Sequence, residues 1–269
     1  MTTSFESTLN DTFKKRAVAL KLYGLLKHWN ELSEQDTRLA AALIDWEEAE
    51  RIRRGLEQRL ANAHIGRFKS LADFDWTWPK QLDKGAVSDL MTLSFIQEAA
   101  NVVLVGPNGV GKSTVAQNIA YHAVLQGHTV LFTSAAHMLN DLAAQDGDNA
   151  LRRRLKYYAK PSLLVIDEVG YLSYGNRHAD LLFEIINRRY EQKSTIVTTN
   201  RPFAEWGEVF PNASCVVSLI DRLIHHAEII LFVGESYRVK EAKERSSNKK
   251  RAKTSSSASK SNTTKTVDA

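Results

Sequence analysis

Gly106-Pro107-Asn108-Gly109-Val110-Gly111-Lys112-Ser113 lies between an apolar run, Val102-Val103-Leu104-Val105, and a helical pattern, Thr114-Val115-Ala116-Gln117-Asn118-Ile119-Ala120. Strand, glycine-rich loop and helix in this order are the context in which the octet's spacing cradles phosphate. The glycines let backbone N–H groups approach phosphate oxygens where a Cβ would clash. The same amides open a helix, whose unpaired donors and dipole favour an anion. Lys112 is placed to reach the β- and γ-phosphates, and the Ser113 hydroxyl to ligate Mg²⁺. Gly106, Pro107, Asn108, Gly109, Val110, Gly111, Lys112, Ser113 and Thr114 are therefore the predicted nucleotide contacts, with ATP and Mg²⁺ as ligands.

Outward from the loop, strand and helix alternate over residues 83–233. Strands are predicted near 101–105, 129–133, 162–167, 194–199 and 228–233, which implies an α/β fold with a parallel sheet covered on both faces. Leu163-Leu164-Val165-Ile166-Asp167-Glu168 is an apolar strand that ends in two carboxylates. Asp167 suits Mg²⁺, completing the site begun by Ser113. Glu168 is one residue further on, where it can polarise the water that attacks the γ-phosphate. The fourth strand ends at Asn200. Alone it reads as a turn former before Arg201-Pro202; beside the two preceding motifs it reads as a polar sensor of the γ-phosphate. Leu219-Ile220-Asp221-Arg222-Leu223-Ile224-His225-His226-Ala227 looks helical, and Arg238 follows the last strand. Phosphoryl transfer uses positive charge that a second subunit can supply, but position alone does not separate such an arginine from a surface one.

The whole chain sets the frame. Its 269 residues, 43% hydrophobic and 25% charged, suit one nucleotide-binding core with a smaller companion domain. The sequence has no run long enough to span a membrane and no signal-peptide pattern at its start. One cysteine, Cys215, excludes an internal disulfide, and the expected setting is the cytoplasm. The net charge is +5, and residues 241–269 hold eight Lys and Arg against three Asp and Glu, the entire surplus. The body is neutral, so nucleic-acid contacts have to come from local patches.

Four segments are expected. Residues 1–64 form a helical domain, with Val18, Leu22, Leu25, Trp29 and Leu32 as one stripe and Leu39, Leu43, Trp46, Ala49, Leu56 and Leu60 as a second. Glu47–Arg51 and Glu50–Arg54 are spaced as i,i+4 pairs. Residues 65–82 are an aromatic connector, Phe68…Phe74-Asp75-Trp76-Thr77-Trp78-Pro79, expected to lie against the core. Residues 83–240 are the ATPase domain. Residues 241–269 are a disordered basic tail. Arg152-Arg153-Arg154 with Lys156 and Tyr157-Tyr158 is the densest basic cluster in the body; a solvated face and a phosphate-contacting surface both remain open for it. Lys249-Lys250-Arg251-Ala252-Lys253 is a second candidate.

Taken together, these motifs resemble the IstB-like transposition helper ATPases, in the AAA+ branch that also holds the DnaC-type helicase loaders. The resemblance rests on the 106–113 loop, Val165-Ile166-Asp167-Glu168-Val169-Gly170-Tyr171-Leu172, Thr198-Thr199-Asn200, Asp221-Arg222-Leu223 and Gly234-Glu235-Ser236-Tyr237-Arg238, and covers residues 8–240. It implies a five-stranded parallel sheet of order 5-1-4-3-2, behind a small all-α domain. It implies sensor 1 at Asn200, an arginine finger at Arg222 and sensor 2 at Arg238. It further implies ATP-driven self-association on double-stranded DNA without sequence preference, and recruitment of a partner transposase. A DnaC-like replicative helicase loader is the alternative within the fold. Many AAA+ proteins carry a helical lid after the last strand, whereas here only tail is expected beyond Arg238. The nucleotide would then be open on one side and closed by a neighbouring subunit carrying Arg222. A P-loop enzyme that phosphorylates a small molecule would need an acceptor pocket and a closing lid, and no segment suggests either.

Overall fold

The computed structural model describes residues 2–79, 81–171, 175–211, 214–242 and 245. Leu172 of the motif above lies outside them, as does the tail apart from 241, 242 and 245, and Lys249 to Lys253 with it. Two compact units divide the chain, Met1–Ala61 and Asn62–Ala269.

The first unit is helical: α1 (Thr2–Ala19), α2 (Tyr23–Lys27) and most of α3 (Glu34–Ala63). Ala17, Leu20, Trp29 and Ile44 form its core. Of the first expected stripe, Trp29 is in this core and Leu22, Leu25 and Leu32 pack against it; only Val18 faces out, and the second stripe is exposed over Leu39, Leu43 and Trp46. The chain turns after α1, with Lys21 at φ 59°, so Leu20 and Trp29 go inside while Val18 stays 52% exposed. On α3 the face one residue over is buried, at Ala40 and Ile44, leaving Leu39, Leu43 and Trp46 at the surface. Arg16 of α1 pairs with Asp45 and Glu48 of α3. Spacing locates a stripe; the cluster that Ala17, Leu20 and Trp29 make with Ile44 fixes which face of α3 is buried. The Glu47–Arg51 and Glu50–Arg54 pairs form at 2.7 and 2.6 Å, and pairs this exposed contribute little to stability.

The second unit adds α4 (Lys84–Leu90), α5 (Ser94–Gln97), β1 (Asn101–Val105), α6 (Lys112–Leu125), β2 (Val130–Ser134), α7 (Ala135–Ala143), α8 (Asp148–Ala159), β3 (Leu163–Val169), α9 (Asn176–Arg189), β4 (Ser194–Thr199), α10 (Trp206–Val209), α11 (Val216–Ile224) and β5 (Ala227–Leu231). The strands pair in parallel in the order β2-β3-β4-β1-β5, which from the other edge is 5-1-4-3-2. Helix α6 covers one face, and α7, α9 and α11 pack on the other. In β1, Val102, Val103 and Leu104 are fully buried, each worth roughly 1.5–3 kcal/mol over an exposed position. No described helix is long and apolar enough to cross a membrane.

Strand β4 reads Ser-Thr-Ile-Val-Thr-Thr yet is buried along its whole length. Its hydroxyls tolerate burial because each has a partner. Ser194 donates to the Phe95 carbonyl, Thr195 accepts from Arg189, Thr198 donates to Asp167 and Thr199 to the Arg201 carbonyl. Arg189, 1% exposed, also donates to the carbonyls of Ala159, Pro161 and Ser194, joining the end of α8 to the sheet. Burial pushes its guanidinium down to about 9. Arg189→Leu would strand several carbonyls at 1–3 kcal/mol each. We expect a loss of roughly 3 kcal/mol or more in urea unfolding; an unchanged midpoint would refute this role.

Candidate nucleotide site

Loop 106–111 leaves the end of β1 and enters α6 through Gly111, at φ 105°. A Cβ on Gly111 would stand 2.6 Å from the Phe74 ring, and one on Gly109, at φ 79°, would collide with Ser236. These glycines therefore admit neighbouring side chains as well as phosphate. Lys112 Nζ donates to the carbonyls of Gly106 and Pro107 at 2.6 and 2.7 Å. Desolvation lowers its pKa from 10.5 to about 8, against the pull of Asp167 and Glu168 and with a smaller push from Arg238.

The depressed Lys112 gives a pH prediction. Phosphate favours the charged amine, so above pH 8 ATP binding should draw a proton from buffer, and affinity should fall as pH rises through 8. The limit is about tenfold per pH unit. The nucleotide-free fold should do the opposite. Between 8 and 10.5 the unfolded lysine holds more proton than the folded one, so stability rises with pH. Calorimetry in buffers of different ionisation enthalpy tests the uptake; zero uptake at pH 9 would contradict it.

The Ser113 hydroxyl donates to Asp167 Oδ1 at 2.9 Å, and the buried Thr198 hydroxyl donates to the same oxygen at 2.5 Å. Thr198 also accepts from the Glu168 amide at 2.9 Å. Between Ile166 and Val169 the β3–β4 register shifts, and Glu168 takes φ 64°. This bulge re-aims the two carboxylates: Asp167 turns inward to Ser113, while Glu168 is exposed and lines the cavity. Asn200, at the end of β4, has a buried Oδ1 without a hydrogen-bond partner. A stranded acceptor beside a cavity is consistent with a polar group that awaits a ligand or water.

These groups surround a cavity of about 470 Å³. The structure brings to it Asn108 to Thr114, Glu168, Asn200 and Arg238, with Gly106, Pro107 and Asp167 just behind. The oxygen donors Ser113 and Asp167, already in contact, fit a hard cation such as Mg²⁺. Arg222 is elsewhere. Its guanidinium bonds Asn187 and lies 4.9 and 5.9 Å from the Phe183 and Tyr190 ring centres, and it does not line the cavity.

Beyond the predicted contacts, Lys69, Phe74, Asp75 and Trp78 of the connector also line the cavity, as do the motif residues Tyr171, Thr198 and Tyr237. The connector arrives there because the buried Asn118 of α6 bonds the backbone of Lys69 and Leu71 and Gln81 pairs with Val233. Its aromatic run was the available signal. One expectation is corrected. Residues 237–242 are helical, so Arg238 sits on a helical turn and not at the start of a tail. That turn has no apolar stripe for a sequence reading to find. It is held from outside: Tyr237 N bonds the Gly109 carbonyl at 2.8 Å, Trp78 Nε1 bonds the Glu235 carbonyl at 2.8 Å, and Lys240 pairs with Asp75 at 2.9 Å. Thr77 and Lys240 together pull Asp75 down to about 2. Connector and turn thus supply part of the wall expected from a neighbour.

Of the basic cluster on α8, Arg154 is engaged. It pairs with Asp141 and stacks 4.3 Å from the Tyr157 ring, while Tyr158 donates to Asp141 at 2.6 Å. Arg152, Arg153 and Lys156 are exposed.

The family described as IstB-like ATP binding protein matches residues 9–245. An ATP-binding protein of insertion sequence IS21 from Pseudomonas aeruginosa is 39% identical over 191 residues, 71% of this chain and 72% of the relative. One of insertion sequence IS5376 from Geobacillus stearothermophilus is 35% identical over 199 residues, 74% and 79% of the two chains. Among solved structures, that of DnaI aligns with a TM-score of 0.51 at 21% identity, over 64% of this chain and 91% of that one. This last likeness concerns the fold.

Proposed function

This chain belongs to the IstB-like ATP binding protein family, and from that premise we propose that it assembles on double-stranded DNA in its ATP-bound form and there recruits a transposase. It is an AAA+ P-loop ATPase, an ATP-binding helper of the IS21 type of insertion sequence. The observation that carries the reading is the Ser113–Asp167 contact at the foot of the glycine loop, with Glu168 and Asn200 on the same cavity.

In this reading the loop amides and Lys112 bind the β- and γ-phosphates, and Ser113 and Asp167 hold Mg²⁺. Mg²⁺, when bound, neutralises charge on the phosphate oxygens. Glu168 takes a proton from the attacking water and Asn200 orients that water. Thr198 fixes Asp167 from behind. Arg238 faces the cavity from the 237–242 turn, in the sensor 2 role. Arg222, remote from its own cavity, acts as the finger for a neighbouring subunit. ATP then serves mainly as a switch: bound, it closes subunit interfaces; hydrolysed, it releases them. Arg152, Arg153 and Lys156 contact DNA phosphates and carry no base code, which suits a helper with little target preference. The relatives' insertion-sequence origin supports a transposase as the partner.

Electron microscopy of the protein with duplex DNA, with and without a non-hydrolysable ATP analogue, tests this directly. Regular assemblies on DNA should need the analogue; assemblies indifferent to nucleotide, or none at all, would overturn the proposal.

A further inference from the structure

We propose that Glu191, His225 and His226 form a binding site for a divalent transition ion of the zinc type. Glu191 lies in the turn from α9 to β4, held at φ 54°, and the two histidines directly follow α11. His226 Nε2 is 3.6 Å and His225 Nδ1 3.9 Å from Glu191 Oε1, and the three residues offer donor atoms within 4.8 Å of one another. Tetrahedral zinc with bonds of about 2.0–2.1 Å holds its ligands about 3.4 Å apart. Closure therefore asks shifts of up to about 1.4 Å of half-exposed side chains, within reach of small side-chain rotations. Two imidazoles and a carboxylate suit a borderline ion, whereas Mg²⁺ and Ca²⁺ prefer oxygen alone. The imidazole centroids are 4.1 Å apart, which brings both rings to one ion. Three protein ligands leave a fourth position open, and none of them lines the nucleotide cavity.

The site's position gives it a consequence. The Tyr190 hydroxyl is 2.7 Å from His225 Nδ1, so an ion on that nitrogen displaces the bond. The Tyr190 ring is one of the two beside Arg222. Metal occupancy thus acts on the mount of Arg222; this consequence, unlike the site, rests on the finger role proposed above.

Calorimetric titration of the full chain with zinc chloride, free of nucleotide and DNA, tests the site independently of that role. Wild type should bind one equivalent that Glu191→Gln weakens and the His225→Ala/His226→Ala double variant weakens about 30-fold or more. Cobalt(II) should give the visible absorption of a tetrahedral nitrogen and oxygen site in wild type only. Equal binding by wild type and the double variant, with both folded by circular dichroism, would overturn the site. For the link to Arg222, zinc at one equivalent should change DNA-stimulated ATP turnover of wild type threefold or more and leave the double variant unchanged. An unchanged wild-type rate with zinc bound would overturn the link.

Discussion

Lys112→Ala should lower ATP affinity by about 100-fold or more while leaving the fold intact. The amine carries the only lysine charge inside the loop, and a charge-assisted bond to phosphate contributes up to about 3 kcal/mol, which corresponds to that factor. In the nucleotide-free protein the same amine bonds the Gly106 and Pro107 carbonyls. Those carbonyls belong to a partly exposed loop, where water can replace the lost donor, so stability should change far less than affinity. A fluorescent ATP analogue titrated into folded variant measures this. Unchanged affinity would remove the loop from nucleotide binding.

Glu168→Gln should keep ATP affinity near wild type and cut turnover by about 10²–10⁴-fold, the usual range for loss of a general base. Among the described residues no side chain donates a hydrogen bond to the Glu168 carboxylate, and the Glu168 amide is held by its bond to the Thr198 hydroxyl, which the substitution leaves in place. With hydrolysis blocked, nucleotide-bound assemblies should persist on DNA. Single-turnover phosphate release gives the rate and sedimentation on duplex DNA gives the trapped species. Normal turnover would exclude Glu168 as the base.

Local signals made much of this legible. The strand–loop–helix context pointed to Gly106 to Thr114, of which Asn108 to Thr114 line the cavity, and apolar runs placed five strands within one or two residues. Legibility failed where the deciding contact comes from far along the chain. The α3 stripe at Leu39, Leu43 and Trp46 had correct helical spacing, but Ala17, Leu20 and Trp29, from earlier in the chain, pack on Ile44 of the face one residue over. The 237–242 turn has no periodicity of its own because Gly109, Trp78 and Asp75 hold it. Thr198 belonged to a recognised motif without a role of its own, although its hydroxyl bonds both Asp167 and the Glu168 amide. Its burial inside a polar strand was the missing information, and burial of that kind emerges only from the sheet order.

The central claim is a site shared between subunits, and a mixture of two inactive variants tests it most directly. Lys112→Ala and Arg222→Ala should each be nearly inactive alone, the second by about 10³-fold or more. Mixed in equal amounts on duplex DNA they should regain ATPase activity, because Lys112→Ala subunits still present Arg222 to the intact loops of their neighbours. A mixture shown to co-assemble that hydrolyses no faster than its parts would contradict the account.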